Sequence, residues 1–250
     1  MKFYLGTHEP SWLGRVNVPL FVSRRRLERS HRRHFPRATC DWSLDSGGFS
    51  ELFLHGGWAV SARSYADQVR VYRDEIGRLE WCAPQDWMCE PDVVKKTGLT
   101  VFEHQQRTVN NFFELRDIAP ELPFVPVLQG WELDDYKRCA ALYEARGLDL
   151  SKEPIVGLGT VCRRQKSRQA VEIVSEFYYA GLNLHGFGFK IDGLRNCGAM
   201  LKSADSLAWS YRARMSSPLE GCSHKACNNC LRFALAWREK LLTNQPRTNQ

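Results

Sequence analysis

Residues 62–83 read ARSYADQVRVYRDEIGRLEWCA, and this stretch contains one complete helix–strand unit. Its apolar residues recur at spacings of three and four, the period of a helix with one buried stripe: Ala62, Tyr65, Val69, Tyr72, Ile76 and Leu79. The short apolar run at residues 79–83 predicts a strand directly after that helix. Helices that alternate with buried strands are typical of a parallel sheet covered by helices.

The same alternation extends along most of the chain. Further helical stripes lie within residues 102–115, 136–143 and 170–177. The predicted strands are residues 3–5, 20–22, 42–44, 79–83, 124–128, 155–158, 182–185 and 207–209. Eight strands in roughly 215 residues match an α/β fold of the (β/α)8 TIM barrel type, with an open doubly wound sheet as the alternative. We expect the barrel to span residues 1–215, a zinc knuckle with a helix to occupy 216–242, and residues 243–250 to form a frayed polar tail.

Composition and charge limit the class of protein. Of the 250 residues, 43% are hydrophobic and 25% are charged, which excludes a disordered chain, a collagen or a coiled coil as the main structure. No apolar run approaches the length of a membrane span and no secretory signal is evident, so we expect a cytoplasmic protein without a membrane partner.

The net charge of +7 is concentrated near the start of the chain. Residues 1–40 contain nine Lys or Arg and two acidic residues, so this segment holds the whole positive surplus. A localised basic patch favours a polyanionic partner such as nucleic acid. The alternative is a solvated, Arg-rich helix face.

The sequence CSHKACNNC at residues 222–230 is the strongest local motif. It places four metal-ligand side chains within nine residues: Cys222, His224, Cys227 and Cys230. Thiolates and imidazole are the usual ligands of tetrahedral Zn²⁺, and four protein ligands leave no position for water. We therefore predict a structural zinc site, with an iron–sulfur cluster as the minor alternative. The nine cysteines are an odd number, which argues against a disulfide framework.

In a barrel of this type the chemistry lies at the carboxyl ends of the strands. Asp45 and Asp86 follow the third and fourth predicted strands, and Asp205 lies at or before the last one. Two carboxylates at a barrel mouth permit paired nucleophile and acid/base chemistry. Trp81 and Trp87 flank Asp86 and suggest a ring that stacks on a planar base. The alternatives are a helix cap for Asp45 or Asp205, and a surface loop with packed Trp residues for Asp86.

Other strand-end residues suit recognition of a base and a phosphate backbone. The side-chain amide of Gln129 can donate and accept at the same time, which suits base edges. Glycines let the backbone approach a ligand closely, and arginines hold phosphates, although turn glycines and surface arginines are equally common. The candidate base-binding residues are Ser46, Gly47, Asp86, Gln129, Gly130, Gly157 and Gly159. The candidate backbone-binding residues are Arg24, Arg25, Arg26, Arg163, Arg164 and Lys190.

Together, these motifs resemble the tRNA-guanine transglycosylase superfamily, and within it most closely the DpdA family, which inserts 7-deazaguanine bases into DNA. The resemblance covers roughly residues 2–240 and depends on six motifs: DSGGF at 45–49, PVLQG at 126–130, VGLGTVCRR at 156–164, HGFGFK at 185–190, SADS at 203–206 and the Cys/His knuckle. The combination is far more specific than any one motif.

The resemblance implies a (β/α)8 barrel with a small C-terminal zinc-binding subdomain. It also implies exchange of guanine in DNA for a free 7-deazaguanine base, such as 7-cyano-7-deazaguanine, which would let the DNA evade restriction. By the match of motifs, Asp205 corresponds to the nucleophile, Asp45 to the acid/base, and Asp86, Gln129 and Gly159 to residues that contact the base. The expected partners are DNA and the free base, with a helper DNA-binding protein or ATPase left open.

The sequence departs from the tRNA enzymes at two motifs. They carry D-x-x-D-C near the last strand, where this chain has Asp205-Ser206-Leu207-Ala208-Trp209 and one carboxylate. Their knuckle begins C-x-C-x2-C and uses a distant histidine, whereas here His224 takes the second place. Three alternatives therefore stay open: a transglycosylase acting on tRNA, a zinc-stabilised non-catalytic nucleic-acid-binding protein, and, more weakly, a glycosidase.

Overall fold

The computed structural model describes residues 1–29, 34–161 and 167–243. An eight-stranded sheet in which every pairing is parallel forms its centre. The strands are β1 (Lys2–Thr7), β2 (Leu20–Ser23), β3 (Trp42–Asp45), β4 (Leu79–Cys82), β5 (Val127–Leu128), β6 (Val156–Leu158), β7 (Leu184–Gly186) and β8 (Ser203–Ser206).

The strand order is β4-β3-β2-β1-β8-β7-β6-β5, so the first and last strands of the chain are neighbours. The strands at the two ends of this order are β4 and β5, and one parallel bridge between Cys82 and Phe124 connects them. The predicted α/β class with eight parallel strands is confirmed, and the curled sheet is consistent with a TIM-like fold.

The last strand differs from its predicted position. Residues 207–209 were expected to form it, but β8 occupies Ser203–Ser206 and residues 208–214 are helical. Trp209 is buried because its ring stacks on Trp12 and its indole N–H donates to the Gly6 carbonyl. The apolar residues of 207–209 thus pack a helix onto the sheet, while the strand itself is polar and has no apolar pattern to reveal it.

Ten α-helices lie in the described part of the chain. They are α1 (Arg24–Glu28), α2 (Gly48–His55), α3 (Ala62–Ile76), α4 (Pro91–Thr97), α5 (Val101–Ile118), α6 (Leu133–Glu144), α7 (Arg168–Tyr179), α8 (Ile191–Cys197), α9 (Ala208–Arg214) and α10 (Leu231–Thr243). The stripe of α3 is buried as predicted, and the Ser61 hydroxyl caps its first turn by accepting from the Ser64 amide. None of these helices combines the length and apolar character needed to cross a membrane.

Two apolar layers position the site. The larger layer lies between the strands and the helices, and α10 joins it through Ala234, Trp237 and Leu241. The second lies inside the curled sheet and consists mainly of aromatic rings: Tyr4, Phe21, Trp81, Val125 and Ile155, with Phe187 packed against them. This inner layer fills the interior of the sheet, so open space remains at the carboxyl ends of the strands.

The boundaries expected for the C-terminal region stay predictions. The helix anticipated after the knuckle is present as α10, and it ends at Thr243. Residues 244–250 of the anticipated tail lie outside the described residues.

Candidate active site

A cavity of about 490 Å³ opens at the carboxyl ends of the strands. Its lining includes all three carboxylates named from the sequence, Asp45, Asp86 and Asp205, together with Gln129 and Gly159. The volume lies within the range of ordinary small-molecule pockets. Asp45 and Asp205, which are 160 positions apart in the chain, therefore meet at one site.

Asp45 is the last residue of β3, and a tight turn follows it. Gly47 in this turn has a φ of +81°, and a Cβ there would lie 2.9 Å from Cγ of Arg25, so the turn requires glycine. The Gly47 amide and the Ser23 hydroxyl donate hydrogen bonds to the Asp45 carboxyl. Burial raises the pKa of Asp45, and the negative charge of Asp205 adds to the increase. The raised pKa favours the protonated carboxyl of Asp45, which is the form that can give a proton to a ligand.

Asp86 lies between two side-chain donors. The Ser46 hydroxyl donates to its Oδ1 at 3.0 Å, and Nε2 of Gln129 donates to its Oδ2 at 2.6 Å. Burial raises the pKa of Asp86 to about 7, and the charge of Asp45 contributes to the increase. The orientation of Asp86 is thus set before any ligand binds.

Gln129 is itself held by Thr160, a residue that the sequence reasoning missed. The Thr160 hydroxyl donates to Oε1 of Gln129 at 2.7 Å, and a φ of +65° places it there. A positive φ is strained for threonine, and such strain persists only where surrounding contacts hold the residue in place, as the hydrogen bond to Gln129 does here. A Cβ on the neighbouring Gly159 would lie 2.2 Å from Nε2 of Gln129, so glycine is required for this arrangement. The signal that could have identified Thr160 is its place directly after the GLG sequence at 157–159.

Asp205 lies on β8, and both of its described hydrogen bonds are made to Oδ1. The Gly188 amide donates to this oxygen at 2.8 Å, and Nε2 of His185 lies 3.4 Å from it. Nδ1 of His185 contacts the Ser203 hydroxyl at 2.8 Å. His185 is fully buried among aromatic rings, and it was missed as a site residue because the sequence did not show that its ring faces Asp205.

Five of the described residues named from the sequence as base-binding or backbone-binding candidates do not line the cavity: Ser46, Arg24, Gly157, Gly130 and Lys190. Ser46 is buried and reaches the site only through its hydrogen bond to Asp86. Gly157 lies beneath Phe187, where a Cβ would approach Cε2 to 2.5 Å. Gly130 packs against Asp135, where a Cβ would approach the Asp135 Cβ to 2.8 Å. Lys190 is exposed just before α8. These close contacts show that Gly157 and Gly130 are needed for the packing of the protein itself.

The tryptophans expected to stack on a base are not accessible for that role. Trp81 is 2% exposed and belongs to the aromatic layer inside the sheet. Trp87 is 8% exposed and packs with Leu52 and Val93. Both rings therefore stabilise the protein.

The four arginines of residues 24–29 divide into two groups. Arg25, Arg26 and Arg29 line the cavity, whereas Arg24 is fully buried. The guanidinium of Arg24 donates to the carboxylate of Glu51 at 2.5 Å and to the carbonyl of Ser46 at 3.2 Å. Arg24 cannot reach a DNA backbone from this position, and it instead supports the turn after Asp45. Arg163 and Arg164 lie outside the described residues.

His8 is a further cavity residue that the sequence reasoning did not name. Burial lowers the pKa of His8 to about 4, and the charges of Arg26 and Arg214 contribute to the decrease. His8 is therefore neutral at pH 7 and can donate or accept a hydrogen bond at the mouth of the cavity.

The Cys/His motif forms a compact cluster between α9 and α10. The ligand atoms of Cys222, His224, Cys227 and Cys230 all lie within 4.8 Å of one another. Sγ of Cys222 is 3.9 Å from Sγ of Cys230. Zn–S bonds of about 2.3 Å in a tetrahedron place sulfur atoms roughly 3.8 Å apart. The four residues could therefore hold a metal ion, and the donor set is compatible with zinc.

Comparison with known proteins identifies the family of the chain. None of the curated proteins matches it. A family model described as DpdA, DeoxyPurine in DNA protein A, matches residues 1–250. The resemblance deduced from the motifs is thereby confirmed. Because this match extends over all 250 residues, the protein belongs to the DpdA family.

Proposed function

We propose that this protein is a DNA-guanine transglycosylase, which exchanges guanine in DNA for a 7-deazaguanine base through a covalent intermediate on Asp205. The observation that carries the proposal is the presence of Asp45, Asp86 and Asp205 in one cavity with three arginines in its lining. Membership of the DpdA family supports a substrate that is a deoxypurine in DNA. The target nucleotide leaves the base stack to enter the cavity, which costs a few kcal/mol.

In the first half of the reaction, Oδ2 of Asp205 attacks C1′ of the target deoxyguanosine. A bond forms between Oδ2 and C1′ while the bond between C1′ and N9 of guanine breaks. Asp45, whose raised pKa favours the protonated carboxyl, gives its proton to the departing base. The products are free guanine and a glycosyl ester on Asp205, and the DNA strand stays intact.

In the second half, the 7-deazaguanine base occupies the place that guanine left. The Asp45 carboxylate takes the proton from N9 of this base, and N9 attacks C1′ as the ester bond to Asp205 breaks. Two inversions at C1′ retain its configuration. One glycosidic bond replaces another, so the exchange requires no nucleotide cofactor.

Recognition of the base is assigned to Asp86, and the form that accepts from the base is the ionised one, which prevails above the pKa of about 7. Guanine presents two N–H donors on its Watson–Crick edge, and these match a carboxylate, whereas adenine presents an acceptor at N1. A 7-deazaguanine base carries the same edge, so one pocket serves both the departing and the incoming base. The hydrogen bond from Gln129 to Asp86 supports this role because it fixes the orientation of the carboxylate.

A structural metal is assigned to Cys222, His224, Cys227 and Cys230. With zinc bound there, the knuckle would connect α9 to α10 and stabilise the packing of α10 on the sheet. Four protein ligands would leave no position on this metal for water or substrate, so no step of the base exchange is assigned to it.

The test measures release of labelled guanine from DNA and from tRNA, with and without the deazaguanine base. We expect release from DNA that is abolished by Asp205→Asn and strongly reduced by Asp45→Asn. Asp134→Asn is the matched control because Asp134 is an exposed carboxylate on α6 outside the cavity. In the absence of incoming base, denaturing gels should show a protein–DNA adduct with the wild type and none with Asp205→Asn.

The outcomes separate the alternatives. Release of guanine from tRNA alone would reject DNA as the substrate. Binding of DNA without release from either nucleic acid would identify a non-catalytic binding protein. Exchange that survives both Asp205→Asn and Asp45→Asn would contradict the assignment of the two carboxylates.

A further inference from the structure

The short helix α2 carries an exposed apolar face at the mouth of the cavity. Phe49 and Phe53 are 43% and 47% exposed, and their rings are parallel within 9°, with centroids 5.4 Å apart. Leu54 is 58% exposed and, like Phe49, lines the cavity. Three large apolar side chains are thus exposed together on one eight-residue helix. Contiguous exposed apolar patches are uncommon on soluble proteins and mark sites of interaction.

Helix α2 is held firmly against the candidate active site. On its inner side, Leu52 is fully buried against Trp87 and Val93. The carboxylate of Glu51 accepts hydrogen bonds from both Arg24 and Arg25. These contacts fix the height and direction of the Phe49–Phe53 pair relative to the cavity, so the pair acts as a preformed surface.

The surroundings of this surface are basic. Arg25, Arg26 and Arg29 line the same cavity as Phe49 and Leu54. Exposed aromatic rings beside a row of arginines are the combination that single-stranded nucleic acids bind, because bases stack on the rings and phosphates pair with the cations. An apolar protein partner would bury the rings but would not compensate the positive charge.

We propose that Phe49 and Phe53 form a stacking platform for the unpaired bases next to the target nucleotide, so that the substrate is single-stranded or locally opened DNA. The inference rests on the proposed function for the identity of the nucleic acid. An intact duplex hides the faces of its bases in the stack, whereas an opened strand presents them. Stacking on the platform also replaces the contacts that the neighbouring bases lose when the target base enters the cavity.

The first test measures binding of short fluorescent oligonucleotides by anisotropy, with the same sequence as a single strand and as a duplex. We expect Phe49→Ala/Phe53→Ala to weaken single-strand binding by about tenfold or more, since stacking contributes substantially for each base. The matched control is Tyr178→Ala/Tyr179→Ala, an exposed aromatic pair at the end of α7, which leads towards the opposite edge of the sheet. Its affinity should stay within about twofold of the wild type.

A second pair of variants separates stacking from folding. Phe53→Trp keeps an aromatic ring and should retain most of the affinity, whereas Phe53→Leu keeps apolar area without the ring and should lose it. Urea unfolding of all variants checks that they are folded. A wild type that binds duplex as tightly as single strand, or that prefers an RNA hairpin, would overturn the inference, as would equal affinities for Phe53→Trp and Phe53→Leu.

Base exchange measured on the same variants separates this inference from the proposed function. We expect Phe49→Ala/Phe53→Ala to raise KM for single-stranded DNA with little change in kcat. If no protein exchanges bases but binding of single strands still depends on the two rings, the proposed function fails and the platform stands. If exchange is normal and binding is unaffected by their removal, the platform fails and the proposed function stands.

Discussion

Removal of Glu51 is the most direct test of how the N-terminal arginines are divided between structure and function. Glu51 is buried on α2, and its carboxylate accepts from the buried Arg24 and from the half-buried Arg25. In Glu51→Ala, the Arg24 guanidinium stays fully buried and loses its buried counter-charge. Glu28 lies on α1 with Arg24, and its carboxylate is 3.3 Å from the Arg24 guanidinium, so it compensates part of the lost charge.

The expected cost follows from that geometry. Loss of one partner of a buried ion pair destabilises a protein by about 3–5 kcal/mol, and the contact with Glu28 places this case near 3. For a chain of this size, about 3 kcal/mol lowers the melting temperature by about 6–12 °C. Arg24→Met should cost less, because Glu51 keeps Arg25 as a partner. Urea unfolding and thermal melts measure both effects.

Arg26→Met is the control for this experiment. Arg26 lines the cavity, so its loss should weaken DNA binding and leave the free energy of unfolding within about 0.5 kcal/mol of the wild type. Equal stabilities for Glu51→Ala and the wild type, or a stability loss in Arg26→Met as large as that in Glu51→Ala, would refute the reasoning.

Three further predictions concern the pKa of Asp86, the contact between Gly159 and Gln129, and the metal. Because folding raises the pKa of Asp86 from 3.8 to about 7, the folded state holds more protons between these values, and the stability falls as the pH rises through this window. The free energy of unfolding, measured with urea, should therefore fall more between pH 4.5 and pH 8 for the wild type than for Asp86→Asn. Equal decreases for the two proteins would contradict the raised pKa. Gly159→Ala would drive a methyl group into the side chain of Gln129 and should raise KM for the incoming base by roughly tenfold or more, whereas an unchanged KM would show that Gln129 does not position the base pocket. Elemental analysis should find about one zinc per chain and its loss in Cys227→Ser, and a metal-free wild type of undiminished stability would reject the site.

Local patterns were sufficient for several features of the fold. The spacing of apolar residues in 62–79 predicted α3, and the ligand spacing at 222–230 predicted the metal-binding cluster, because each involves neighbours on one short segment. The position of β8 could not be predicted in this way. Its Ser203 and Asp205 are buried polar residues that are satisfied by His185 and Gly188, which belong to the neighbouring strand and its loop.

The sequence by itself determined which chemical groups follow the strands, because a parallel α/β order places every strand end at the same edge. Only the tertiary structure decided which of those groups reach the cavity. Arg24 and Arg25 are adjacent on α1, yet a rotation of about 100° per residue turns one into the protein and the other towards the cavity. Gly157 and Gly159 are only two residues apart, yet Gly159 lines the cavity and Gly157 does not, because the ring of Phe187 covers Gly157. Access to a site depends on side chains from distant segments, and their packing is not encoded in any local pattern.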